Sequence, residues 1–337
     1  MKKLLVLFLL VFIAACGSKE GSNSGSDSTN VADKFTETID EPVVLKYNYK
    51  VGQKFAYRLT TISESKQKIE ADTTITTDVD QTVKYEIGLT VNKVDTTGNS
   101  ELSVVVNAVS LKSSLNGDIT QYDSKVSPNL GVDNSIIDYR VLLNKPFVIE
   151  LSKTGEITNI KNVTKILDAF ILHQFPGQPI NPEQKKEIEA RMNNGIIMPI
   201  TQQLFKVLPN KEVNKDSVWT RNYVSPFAVF QTDNTVTFKV VGFNKDETSV
   251  KIDMNLVSIP TGNTDATENG VNYKFEKPKV SGTGSIDFNY EKSMINKSST
   301  ETNISIKMSM EGKTADNKTS IVKRSDSTKN INIVEIL

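Results

Sequence analysis

Apolar and polar residues alternate with period two over most of this chain. Val83, Tyr85, Ile87, Leu89 and Val91 are interleaved with Lys84, Glu86, Thr90 and Asn92. The same beat runs through Leu102, Val104, Val106 and Ala108, and through Val236, Phe238 and Val240. It returns in Val250, Ile252, Met254 and Leu256, in Ile286, Phe288 and Tyr290, and in Ile304, Ile306, Met308 and Met310. Successive side chains of a strand point to opposite faces, so this pattern predicts strands with one face buried and one wet. Polar turn sequences separate them: Asp95–Asn99, Asn116-Gly117-Asp118, Thr154-Gly155-Glu156, Asn244-Lys245-Asp246 and Glu311-Gly312-Lys313. Strand, short turn and strand in succession predict antiparallel meanders.

The beat changes to helical spacing in the middle. Asn162 is positioned to cap a helix with Val163, Ile166, Leu167, Phe170 and Ile171 on one face. Asn181-Pro182 reads as a second cap with proline at the first helical position, and that helix is expected to weaken at Asn193-Asn194-Gly195. A third stretch, 199–208, carries Ile200, Leu204, Phe205 and Leu208, with Pro209 as its stop. The expected fold is mainly β (α+β): a large curved antiparallel sheet or half-barrel, with two or three helices from a central block at about 162–208 packed on its concave face. Two β-rich lobes divided near residue 160 or 210 are the alternative.

The first residues follow another rule. Met1-Lys2-Lys3, an apolar run from Leu4 to Ile13 and then Ala14-Ala15-Cys16 have the anatomy of a secretory signal with a small-residue cleavage site. The run is shorter than the roughly 20 residues that a spanning helix needs. The pattern resembles the lipobox of bacterial lipoproteins, which implies a thioether-diacylated, further acylated (palmitate-type) Cys16 as the mature N-terminus. Cys16 is the only cysteine, so disulfides contribute nothing. A plain thiol on an uncleaved helix is the alternative. Residues 16–41, rich in Gly, Ser and Asn at the start, are expected to form the lipidated cysteine and a flexible tether. Residues 42–337 are then a single β-rich domain. Lys19-Glu20 resembles in part a surface-export signal, so the expected place is the cell envelope, on the outer membrane, with either face open.

Composition narrows the function classes. Lys plus Arg and Asp plus Glu both number 40, for a formal net charge of zero. No basic block with interleaved aromatics suggests nucleic acid. His173 is the only histidine and stands before a Pro/Gly turn without a nucleophile-elbow sequence, so neither a triad nor a zinc site is expected. The acids Asp78 and Asp80, and Asp265 and Glu268, lack the aromatic surroundings of a sugar-cleaving cleft and the spacing of a calcium loop. No Gly-rich phosphate loop precedes a helix, and no cofactor is expected. Trp219, the only tryptophan, is expected to be packed under the helical block rather than at the mouth of a cavity.

Leu45–Tyr57, Pro146–Ile157, Lys215–Trp219 and Gly282–Phe288 resemble an uncharacterised β-rich domain of Bacteroidota lipoproteins, over about residues 43–310. Lys215 stands where that family commonly has glycine, and Val218 is inserted before Trp219. The resemblance implies a lipoprotein domain without catalytic machinery. Asp-Ser/Thr-Thr triplets at Asp27-Ser28-Thr29 and Asp95-Thr96-Thr97 resemble the O-glycosylation acceptors of the same bacteria, which makes Ser28 and Thr96 candidates. Two functions fit these readings. One is a membrane-anchored, non-catalytic module that holds a lipid-like or other apolar ligand in a half-barrel groove. The other is a structural lipoprotein with a filled core, docked to envelope proteins.

Overall fold

The computed structural model describes residues 35–337 except 36, 40, 127–135, 228–229, 269–270 and 314–317. Cys16, Ser28, the signal segment and most of the expected tether lie outside the described residues.

One antiparallel sheet of 14 strands dominates the protein. The N-terminal strands form a meander: β2 (Lys54–Glu70), β3 (Thr74–Val94), β4 (Ser100–Leu115), β6 (Phe147–Leu151) and β7 (Ile157–Lys161), with β5 (Asp118–Asp123) beside β4. The C-terminal strands form a second: β9 (Val218–Phe227), β10 (Phe230–Asn244), β11 (Ser249–Thr261), β14 (Lys279–Asn289), β15 (Met294–Lys313) and β16 (Thr319–Ile336). A hairpin of β12 (Asp265–Glu268) and β13 (Val271–Phe275) extends β15. The two meanders are zipped at the centre, where β2 pairs with β16 from Tyr57↔Ile336 to Glu70↔Lys323. The segments on either side of the helical block therefore share one sheet and one hydrophobic cluster.

The expected turns at Asp95–Asn99, Asn116–Gly117, Thr154–Glu156 and after Asn244 are present. Asn116 and Gly117 take φ 50° and 95°, the left-handed pair that a two-residue hairpin needs. Glu311-Gly312-Lys313 is not a turn. These residues continue β15 and pair with Thr319–Ile321.

The sheet does not close on itself. Its edges are β7 and β9, and the chain crosses from one to the other through α2 (Thr164–Gln174), α3 (Pro182–Met192), a π-helical turn (Asn193–Ile197) and α4 (Met198–Leu204). Near one end the edges approach each other, with Arg221 of β9 3.5 Å from Glu156 before β7. The 202–208 segment stitches this slot. Gln202 accepts from the Ile157 amide at 3.5 Å and donates to the Gly155 carbonyl at 3.2 Å, while Trp219 Nε1 donates to the Val207 carbonyl at 3.3 Å. The chain before β2 lies along the same slot, as β1 (Val43–Val44) pairs with β8 (Glu212–Val213) and the Tyr47 amide donates to the Lys153 carbonyl.

Two expectations about the helices need correction. Asn162 does not cap α2: it sits at φ 62° and Val163 is the N-cap, without a side-chain bond. Asn193-Asn194-Gly195 weaken the second helix as expected: α3 ends at Met192, and a π turn leads on into α4. The last helix ends at Leu204, with Phe205 extended, well before Pro209. Asn181 behaves as expected and forms a reciprocal capping box with Gln184. The packed body also begins earlier than residue 42, since Phe35 is buried and Glu37 exchanges backbone hydrogen bonds with Phe243.

Candidate functional site

Every long strand runs between the same two ends of the sheet. At the closed end lie the turns at 95–99, 152–156 and 245–248, together with Phe35 and Leu337. At the open end lie the β2–β3 and β4–β5 turns and the β12–β13 hairpin. Register fixes which residues share the inner face, which changes character along its length.

Towards the closed end the inner face is filled. Tyr47, Tyr57, Leu59, Ile87, Leu89 and Phe288 are buried with Leu204 and Phe205 from the helical segment. Tyr47 meets Phe205 and Phe288 edge-on, both at 5.5 Å between ring centroids. Its hydroxyl donates to the Lys206 carbonyl at 3.2 Å and accepts from the Lys206 amide at 2.9 Å. Burial pushes the Tyr47, Tyr49 and Tyr57 phenols far above their ordinary range. α4 packs on β2, β7 and β16, with Ile200, Thr201, Gln203 and Leu204 buried. Among the described residues, the chain's own buried side chains occupy the inner face at this level.

A polar band follows. Thr61 donates to Asn332 at 2.9 Å, and Ser298, Thr300 and Thr302 are buried beside them. On the flank, Asn234 donates to Ser225 at 2.9 Å and to the Thr232 carbonyl at 3.0 Å. Tyr223, opposite Asn234, has its phenol pushed up to about 12 by burial, with Arg221 pulling the other way.

Beyond the band the inner face turns apolar again and loses its cover. β2 has no buried residue after Thr61, and β16 none before Asn332. Ile69, Ile306, Met308, Met310, Val322, Tyr273 and Phe275 share this face half-buried, and Ile75 is 57% exposed. One ion pair lies among them: Arg324 Nε donates to both oxygens of Asp326, at 3.1 and 2.8 Å.

The residues singled out in the sequence do not converge on this face. Thr96 is exposed in the Asp95 turn and lines a hollow of about 520 Å³ at the closed end, with Lys46, Tyr47, Lys153 and Asn210. The Asp95 carboxylate accepts from the Thr97 hydroxyl and amide and from the Asn99 amide, which holds its pKa below the usual carboxylate range. Asp78 and Asp80 lie on the outer face among Glu64, Lys66 and Lys329, beside a shallow hollow of about 370 Å³. Asp265 is exposed in β12, and His173 is exposed in the last turn of α2. Trp219 is half-buried, stacked on Phe238 at 5.2 Å and tied to the segment after α4, as the packed reading expected. Among the described residues no three His, Cys, Asp or Glu side chains gather into a metal-binding group. The sequence reading missed the open-end face because Ile69, Ile75, Val322 and Arg324 stand in Ser-, Thr- and Lys-rich segments. Their parity relative to the buried strand residues was the available signal.

The fold therefore defines a mainly β protein in which one open antiparallel sheet wraps a helical plug. A family model described as a family of unknown function (DUF6263) matches residues 97–295, and the chain belongs to that family. The segments 146–157, 215–219 and 282–288 fall inside the match, and 45–57 falls before it. No curated protein sequence matches the chain. Among solved structures, a lipovitellin titled for its lipid–protein interactions aligns with a TM-score of 0.43 and 12% identity, over 86% of this chain and 25% of that one. The chain thus spans about a quarter of the lipovitellin's length. OccK2 (OpdF) of Pseudomonas aeruginosa, in complex with glucuronate, aligns with a TM-score of 0.18 and 6% identity, over 85% and 99% of the two chains. A BenF-like porin from Pseudomonas fluorescens Pf-5 gives 0.17 and 8%, with the same coverage.

Proposed function

We propose that this protein is a non-catalytic envelope lipoprotein of the Bacteroidota type that binds a lipid-like or other apolar ligand on the open end of its inner sheet face. The observation that carries this is the half-exposed patch of Ile69, Ile75, Ile306, Met308, Met310, Val322, Tyr273 and Phe275. Contiguous apolar surface is uncommon on a soluble body and marks a place where something binds. Paired methionines suit a surface that adapts to flexible chains. The groove first expected under the helices is full, so the ligand's place moves to the uncovered end.

The lipobox supports an acyl anchor on Cys16. The anchored chain enters at the closed end, beside Phe243, and β2 alone is 17 residues long, or about 55 Å. The apolar face would therefore be presented away from the anchoring membrane, outer membrane in this reading, with either side of it open.

The test uses full-length protein extracted from membranes in mild detergent. Native mass spectrometry is expected to show an acylated N-terminal Cys16 and co-purified lipid, and a neutral naphthylamine dye is expected to bind. Met308→Ser with Met310→Ser should weaken dye binding about fivefold or more, from the lost apolar burial. Unchanged dye binding in that variant, with no lipid in the wild type, would remove this reading. The filled closed end favours the second reading, a structural lipoprotein docked to an envelope partner. Recovery of one stoichiometric protein partner on crosslinking, in place of lipid, would establish it.

A further inference from the structure

We propose that the ligand is an amphiphile with an anionic oxyacid head, a carboxylate or a phosphate, and that the Nη edge of Arg324 receives it. This rests on the apolar-ligand reading above and adds the head group to it. On the inner face, β2 contributes Thr61, Ser63, Ser65, Gln67 and Ile69, and β3 contributes Ile75, Thr77, Val79, Gln81 and Val83. β15 contributes Thr300, Thr302, Ile304, Ile306, Met308 and Met310. β16 contributes Val322, Arg324, Asp326, Thr328, Asn330 and Asn332. Arg324 and Asp326 are the only formal charges in this set. The outer face of the same strands carries Glu64, Lys66, Lys68, Glu70, Asp78, Asp80, Lys307, Lys323 and Lys329.

Arg324 stands in the apolar row itself. Met308 and Ile69 are its cross-strand partners, with Phe275 beyond Met308 and Ile75 beyond Ile69. Its side chain is 35% exposed and that of Asp326 21%. A guanidinium presents five N–H donors in a planar fork. Asp326 spends both of its oxygens on Nε, so among the described residues the two Nη groups have no partner. Two parallel N–H donors beside an apolar strip match a carboxylate or phosphate oxygen pair at the end of an alkyl chain. The chain would lie along Met308, Met310 and Phe275. Asp326 repels the incoming anion, which keeps binding weak enough to reverse.

Full-length protein would be titrated with dodecanoate, dodecyl phosphate and dodecanol, each competing with the neutral dye. Wild type should prefer at least one of the two anions over the alcohol roughly tenfold, the scale of a charge-assisted pair of hydrogen bonds. The stronger anion identifies the head group. Arg324→Gln should erase the preference, and its urea unfolding midpoint reports whether the variant is folded. Asp326→Asn should tighten anion binding and not alcohol binding, an arm that stands if Arg324→Gln misfolds. Equal binding of all three ligands to wild type overturns the head-group assignment alone. Failure of dodecanol and both anions to bind removes the apolar-ligand reading beneath it.

Discussion

Tyr47, Tyr49 and Tyr57 pack as a continuous aromatic group through Phe55, with neighbouring centroids 5.1 to 6.0 Å apart. Their phenols are raised from an ordinary value of 10.0 because burial penalises the charged form. The unfolded chain therefore loses these protons first as pH climbs, so stability holds through neutral pH and falls above about pH 10. With three such groups the slope approaches about 4 kcal/mol per pH unit. Urea midpoints at pH 8, 10 and 10.5 measure it. Among the described residues the buried Tyr49 hydroxyl has no hydrogen-bond partner. Tyr49→Phe is therefore expected to raise stability at pH 8 by about 1 kcal/mol and to flatten the alkaline slope by one tyrosine. Gly155 shows backbone constraint beside the same cluster. It holds φ 92°, and a Cβ there would overlap the Lys206 carbonyl oxygen and come 2.6 Å from Tyr47. Gly177 holds φ 71° with nothing near. Gly155→Ala should cost about 3 kcal/mol or more in urea unfolding and Gly177→Ala about 1, separating collision from φ strain.

At the scale of elements, α3 and α4 divide the labour of the helical block. α3 buries only Met192 and depends on its capping box, whereas α4 buries Ile200, Thr201, Gln203 and Leu204 against the sheet. Leu204→Ala should thus cost about 2–5 kcal/mol by chemical denaturation, from lost transfer energy and the cavity left behind. The period-two pattern made β3, β4, β10, β11, β14 and β15 legible, because their inner residues are aliphatic or aromatic. It did not reveal β16, which pairs with β15 from Thr319 to Glu335 and with β2 from Lys323 to Ile336. In β16 the inner positions Arg324, Asp326, Thr328, Asn330 and Asn332 are polar, so burial in the polar band does not read as apolar alternation. Asn193-Asn194-Gly195 interrupt the α-helix without stopping the helical block. Weak helix formers mark a stop only where tertiary packing does not override them, and Ile197 and Met192 are both buried around that turn.

For the whole molecule, the antiparallel class and the central helices were readable, and the strand order was not. Local alternation and turn chemistry predict neighbours in sequence, while the pairing of β2 with β16 joins segments some 250 positions apart. The candidate site suffers from the same gap. Phe275, Met308, Arg324, Ile69 and Ile75 come from both meanders and meet only once that seam forms. The seam also has a consequence in time. Until Thr319–Ile336 is available, β2 and β15 each present a long unpaired edge, and long-range pairing is slow because the intervening loop must be closed first. During directional synthesis, the two half-sheets therefore stay unjoined until β16 has been made. In that interval a chaperone that masks β edges would matter more to its yield than any single contact in the finished core.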